Sequence, residues 1–146
     1  MQTYSTIKGG NKLFKKLNKS LNFPESVEIK AGFLGNDFYP DGTPVAKVAY
    51  WNDGGTPNIP ERPFLTSAKI INKDTWVKMI KIKLKNSDSN FNKIGTDMVK
   101  KLKTNIVEWK IPGNAVSTIN KKGFDDPLID TKLMLNSVNY SISYGY

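Results

Sequence analysis

The sequence predicts a single α+β domain over residues 1–146, with a small antiparallel sheet packed against several helices. Three observations carry this reading. Residues 88–109 repeat apolar side chains along one helical face, the mark of a long helix. Residues 27–34 and 138–144 alternate apolar and polar side chains, as strands that pair across a half-buried sheet do. The 146 residues hold no internal repeat and no break in composition, and one domain of that length buries a real core.

Residues 10–21 place Leu13, Phe14, Leu17 and Leu21 on one side of a 3.6-residue period, with lysines mostly on the other, and Pro24 ends that helix. Val27, Ile29, Ala31 and Phe33 then alternate with Glu28, Lys30 and Gly32 in the first strand. Tyr39-Pro40-Asp41-Gly42-Thr43 carries turn chemistry. Pro44 suits the first turn of a short helix containing Val45, Val48, Ala49 and Trp51, which Gly54-Gly55 terminates.

Phe64 to Ile71 read as helix. Residues 74–85 satisfy two periods at once: Trp76, Ile80 and Leu84 recur every four residues, yet Ile80, Ile82 and Leu84 also alternate with lysines. Length and the poor strand propensity of lysine favour helix. In the long helix, Phe91, Ile94, Met98, Leu102, Ile106 and Trp109 mark one face, with Asp88 or Ser89 as cap and Ile111-Pro112-Gly113 as terminator. A loop from Ser117 to Ile129 leads to a short helix, Thr131 to Asn136, capped by Asp130. Val138, Tyr140, Ile142 and Tyr144 form the last strand.

Composition excludes much chemistry. Cysteine and histidine are both absent, so no triad, no histidine base and almost no zinc site is available from this chain. Asp125, Asp126 and Asp130 are the one carboxylate cluster to weigh as a metal or acid–base site. Helix capping by Asp130 and turn formation before Pro127 explain them better. Gly9-Gly10-Asn11-Lys12 lacks the Gly-Lys-Ser/Thr ending of a phosphate loop and a preceding strand. No catalytic residue, cofactor or metal is expected. No run approaches the roughly 20 apolar residues of a membrane span, and the N-terminus lacks an apolar signal core, so synthesis in the cytoplasm with no membrane partner is expected. The net charge of +9 comes almost entirely from lysines scattered from Lys8 to Lys132. A solvated basic surface explains that scatter better than a nucleic-acid site does.

The stretch Tyr50 to Leu65 holds two glycines, three prolines and the only arginine, Arg62. Glycine supplies left-handed backbone and proline fixes φ, so such a loop is built to hold one shape. Val48-Ala49-Tyr50-Trp51-Asn52-Asp53-Gly54-Gly55-Thr56 runs into Ile59-Pro60-Glu61-Arg62-Pro63-Phe64-Leu65. Later come Asn114-Ala115-Val116-Ser117-Thr118-Ile119, Lys122-Gly123, Asp126-Pro127-Leu128-Ile129-Asp130-Thr131, Leu133 and Asn136-Ser137-Val138. In this order, over about residues 27–142, the two motifs resemble the neck or tail-completion proteins of tailed bacteriophages. The pattern departs at Lys132, where that family commonly has glycine, and at the extra glycine of Gly54-Gly55.

The resemblance implies a virion subunit, made in the host cytoplasm, that forms a homo-oligomeric ring at the head–tail junction without catalysis. Its neighbours would be portal or connector proteins on the head side and tail terminator or tail tube proteins on the other; passage of genomic DNA through the lumen is compatible with the charge of +9 but not required by it. A tail terminator capping the tail tube and a basic nucleic-acid-binding protein are the alternatives. Expected interface residues are Trp51, Asp53, Gly55, Thr56, Pro60, Arg62, Pro63, Tyr144 and Tyr146. Arg62 is expected either to clamp a carboxylate or carbonyl of a neighbouring subunit or to bridge Asp53 or Glu61 internally. Trp51 and Phe64 are expected to anchor the core more than the interface.

Overall fold

A computed structural model of the chain describes residues 3–8, 23–130 and 132–146, so the helix expected over 10–21 lies outside the described residues. Strands β1 (Thr3–Lys8), β2 (Ser26–Phe33) and β3 (Val138–Gly145) form an antiparallel sheet in the order β1-β2-β3. The expected pairing of the two later strands holds, with Ile29 opposite Ile142 and Val27 opposite Tyr144. Strand β1 was not anticipated. In its sequence Tyr4 and Ile7 stand three apart, so they do not share one face of a strand and leave no alternation to read. It also places a strand directly before Gly9, although the phosphate-loop ending remains absent from the sequence.

Five helices are described: α1 (Val45–Gly54), α2 (Phe64–Lys85), α3 (Asn92–Glu108), α4 (Val116–Lys122) and α5 (Leu133–Asn136). Helices α2 and α3 lie against each other, with α3 across β2 and β3 and α2 reaching β1. The fold is therefore α+β, and its core lies between this helix pair and the sheet. Val27, Ile29, Phe64, Trp76, Phe91 and Ile94 are among its fully buried members.

The ambiguous residues 74–85 belong to α2, which is the longest helix at 22 residues. Exposure decides the period. Ile80 is 1% exposed and Ile82 50%, whereas a strand would have put both on one face.

Three local expectations need correction. Neither Asp88 nor Ser89 caps α3, which begins after Phe91 with no side-chain cap. Burial of the Phe91 ring sets the helix entry instead, and Asp88 binds Lys83 and accepts the Asn90 N–H (2.8 Å). Within the expected loop from Ser117, residues 116–122 form α4. None of its residues is buried, so it has no core-facing period to read, and Gly123 (φ 82°) closes it by donating to the Ile119 carbonyl at 2.7 Å. Asp130 does not cap α5. Its N-cap is Lys132 in the left-handed conformation (φ 61°), without a side-chain bond.

Gly95 lets α3 approach β3. A Cβ there would stand 2.2 Å from the Tyr140 ring, which lies against the helix with its hydroxyl 3.3 Å from Asn92 Oδ1. Gly95→Ala is expected to lose about 1–3 kcal/mol through overpacking. Urea denaturation measures this, and the loss shrinks when Tyr140 is first changed to Leu. Lys132→Gly is expected to gain about 1 kcal/mol, because left-handed angles cost L-residues about that much. A lower urea midpoint for that variant contradicts the assigned backbone.

Candidate interaction surface

The loop from Gly55 to Pro63 is ordered by its own hydrogen bonds. Gly55 (φ 72°) turns the chain out of α1, and a Cβ there would lie 3.1 Å from the Glu61 backbone. Thr56 and Ile59 exchange backbone bonds at 2.8 and 3.2 Å. The Thr56 hydroxyl accepts the Asn58 and Ile59 N–H groups at 3.3 and 3.0 Å. This ties Thr56 into a closed turn and pushes Pro57 and Asn58 outward, where both are exposed.

Asp53 is 3% exposed at the end of α1. Its Oδ1 accepts the N–H groups of Leu65 (2.7 Å) and Thr66 (3.1 Å), and its Oδ2 accepts the Thr66 hydroxyl (2.6 Å). The residue at the N-cap of α2 is Pro63, which has no side-chain oxygen to offer. Asp53 supplies the missing cap from the preceding helix, where the helix dipole also favours a negative charge.

Arg62, 5% exposed, is the second lock. Its Nε donates to the Pro112 carbonyl (2.9 Å), Nη2 to the Gly113 carbonyl (2.8 Å) and Nη1 to Asn52 Oδ1 (3.1 Å). Its own N–H donates to the Asn52 carbonyl at 2.7 Å. The expected internal bridge to Asp53 or Glu61 is not made. The carbonyls Arg62 clamps belong to its own chain, and among the described residues no ion pair joins it to Asp53 or Glu61. Burial pushes the Arg62 pKa down, partly offset by the negative field of Asp125. Asp125 in turn accepts the Asn114 N–H at 2.9 Å, so both sides of the clamped segment are held.

The three aspartates weighed as a metal site are dispersed into such roles. Asp125 fixes Asn114, Asp126 pairs with Lys110, and the Asp126 carbonyl accepts Lys122 Nζ at 2.8 Å. Asp130 faces Tyr39, whose hydroxyl pKa is raised first by burial and then by Asp130 and Asp41. Among the described residues no group of three His, Cys, Asp or Glu side chains could hold a metal ion.

Arg62 thus ties the first sequence motif to Pro112 and Gly113, directly before the second. Trp51, Asp53, Gly55, Thr56, Pro60, Arg62 and Pro63 share one corner with residues 112–114. Asp53 and Arg62 are corrected as contact residues: both are buried and spend their polar atoms internally, so they shape the surface without forming it. The exposed members are Pro57, Asn58, Pro60 and Glu61. Ile111 (83% exposed), just before the second motif, and Val116 (72%), within it, are exposed as well. Sequence reasoning passed over both, and the available signal was an apolar residue lying off every buried period. Phe64 is a core residue, as expected, but Trp51 is only half-buried. Its ring carries Lys47 Nζ at 4.9 Å and borders a groove of about 550 Å³ shared with Ile59, Leu128 and Met134.

Tyr144 and Tyr146 lie elsewhere. The Tyr144 ring is 6.1 Å from Phe91 and 6.5 Å from Tyr146, which is 73% exposed. Phe91 precedes α3 and the Arg62 clamp follows it, so the two surfaces are separated by 17 helical residues, about 25 Å. A third feature is charge. Helices α2 and α3 carry ten lysines against Asp74, Asp97 and Glu108, and Asp97 is already bound by Trp76 Nε1 at 2.9 Å. Among the described residues no helix is long and apolar enough to cross a membrane.

No family model matches the chain, and no curated protein or solved structure matches it significantly.

Arg62→Lys is expected to destabilise by about 1.5–3 kcal/mol, since an ammonium cannot serve two successive carbonyls and Asn52 in one plane. Asp53→Ala is expected to cost about 1–3 kcal/mol through the unpaired N–H groups of Leu65 and Thr66. Chemical denaturation reads both. Wild-type stability in either variant would overturn the assigned role.

Proposed function

We propose that the protein is a non-catalytic structural subunit that assembles head-to-tail into a ring, as a neck or tail-completion component at the head–tail junction of a tailed bacteriophage. The observation that carries this reading is the pair of dissimilar surfaces at opposite ends of α3: a loop stiffened by Asp53 and Arg62, and a strand end bearing Tyr144 and Tyr146. A ring with one kind of contact needs two different complementary patches on each subunit, whereas a twofold dimer needs only one patch facing itself. Aromatic residues on rigid elements suit such contacts because little entropy is lost on docking.

The ordered motifs support placing the subunit in a phage neck. So does Lys132, which takes left-handed angles at the position where that family commonly has glycine. Ring neighbours would be portal or connector proteins on one side and tail terminator or tail tube proteins on the other. The same two-patch geometry suits a tail terminator on the tail tube.

The lysine excess of α2 and α3 favours a second reading, binding of nucleic acid, either as the protein's own task or as the lining of a lumen through which DNA passes. Analytical ultracentrifugation combined with a DNA titration separates the two. The ring reading expects a concentration-dependent closed oligomer whose assembly is lost when residues 143–146 are removed, with the circular dichroism of the folded subunit retained. A strict monomer that binds duplex DNA with a steep salt dependence would falsify it.

A further inference from the structure

The groove beside Trp51 and the exposed tyrosine end of β3 are complementary in chemistry. Val48, Trp51, Ile59, Leu128 and Met134 give the groove an apolar part, and its volume of about 550 Å³ leaves room for an aromatic side chain. Among its lining residues Lys121 and Lys122 stand with Asp41 and Asp130, and Lys47 lies over the Trp51 ring, so the site carries both signs of charge in a chain of net charge +9. Both walls are fixed. Asn52 on one side is held by Arg62, and Lys122 on the other is tied to the Asp126 carbonyl.

Residues 138–146 contain no charged side chain, although 24% of the chain is charged. When two copies of a +9 protein meet, like charges disfavour most approaches. A tip without charged side chains meeting a partly apolar groove that carries both signs of charge is an approach with little such repulsion. Tyr146 is 73% exposed, and its ring lies 6.5 Å from that of Tyr144. It cannot fill the groove of its own chain: two residues beyond Tyr144 reach at most about 7 Å, and the groove lies beyond the other end of α3.

We infer that the Tyr144–Tyr146 end of one copy seats its aromatic side chain in the Trp51–Met134 groove of the next, and that this contact propagates the ring. The inference rests on the ring reading and adds the identity of the two mating surfaces.

Photo-crosslinking with p-benzoylphenylalanine in place of Tyr146 tests it, because the substitute keeps an aromatic ring and reacts well with methionine. The expected result is a chain-to-chain crosslink mapping to the peptide that contains Met134 or to the one that contains Trp51. Tyr146→Ala is expected to weaken assembly by at least about tenfold in ultracentrifugation, while Tyr146→Phe stays within about twofold. Crosslinks between chains that map elsewhere, in a protein that still forms rings, overturn the pairing and leave the ring standing. A monomer at every concentration, for the unsubstituted chain, removes both. A Tyr146→Ala protein that assembles normally overturns the pairing alone.

Discussion

Most of the organisation at one end of this molecule depends on a single guanidinium. Arg62 holds Asn52 at the end of α1 and the carbonyls of Pro112 and Gly113 beyond α3, and so fastens two segments 50 residues apart. A buried guanidinium is costly to desolvate, and among the described residues no carboxylate pairs with it directly. It is repaid by filling its donors with fixed backbone dipoles and by the nearby charge of Asp125. Asp53 does the complementary work one residue after Asn52, offering its oxygens to the open end of α2. Acid and base sit close in sequence yet do not pair with each other. Each serves backbone groups that the turn would otherwise leave unsatisfied.

This division of labour explains why the loop presents prolines, Asn58 and Glu61 to solvent. Arg62 and Asp53 face inward, and the prolines limit what the residues between them can do. The outer surface therefore arrives at any partner already shaped. The other end of α3 is organised by packing. Gly95 admits the Tyr140 ring, and Phe91 supports Tyr144, so the tyrosine end is fixed by van der Waals contact where the loop end is fixed by hydrogen bonds.

Legibility in the sequence followed burial. Strands β2 and β3 and helices α1 to α3 each bury a periodic face, and those periods were visible at Val27, Ile29, Phe91, Ile94 and Met98. Helix α4 buries nothing and β1 has no shared apolar face in its six residues, so neither left a trace. Caps were misjudged for a different reason. A polar residue near a helix start is a good local guess, but α3 starts where Phe91 must be buried and α5 starts after a left-handed Lys132 instead of at Asp130. At the candidate surface the loop's rigidity could be read from Gly55, Pro60 and Pro63. The target of Arg62 could not, because no local pattern encodes a contact 50 residues away.

Helix α3 also acts as a ruler. Its turns fix both the spacing of the two end surfaces and the angle between them, and each residue added to or removed from it would rotate one end against the other by about 100° and shift it by about 1.5 Å. Curvature of any closed assembly is therefore written into this helix.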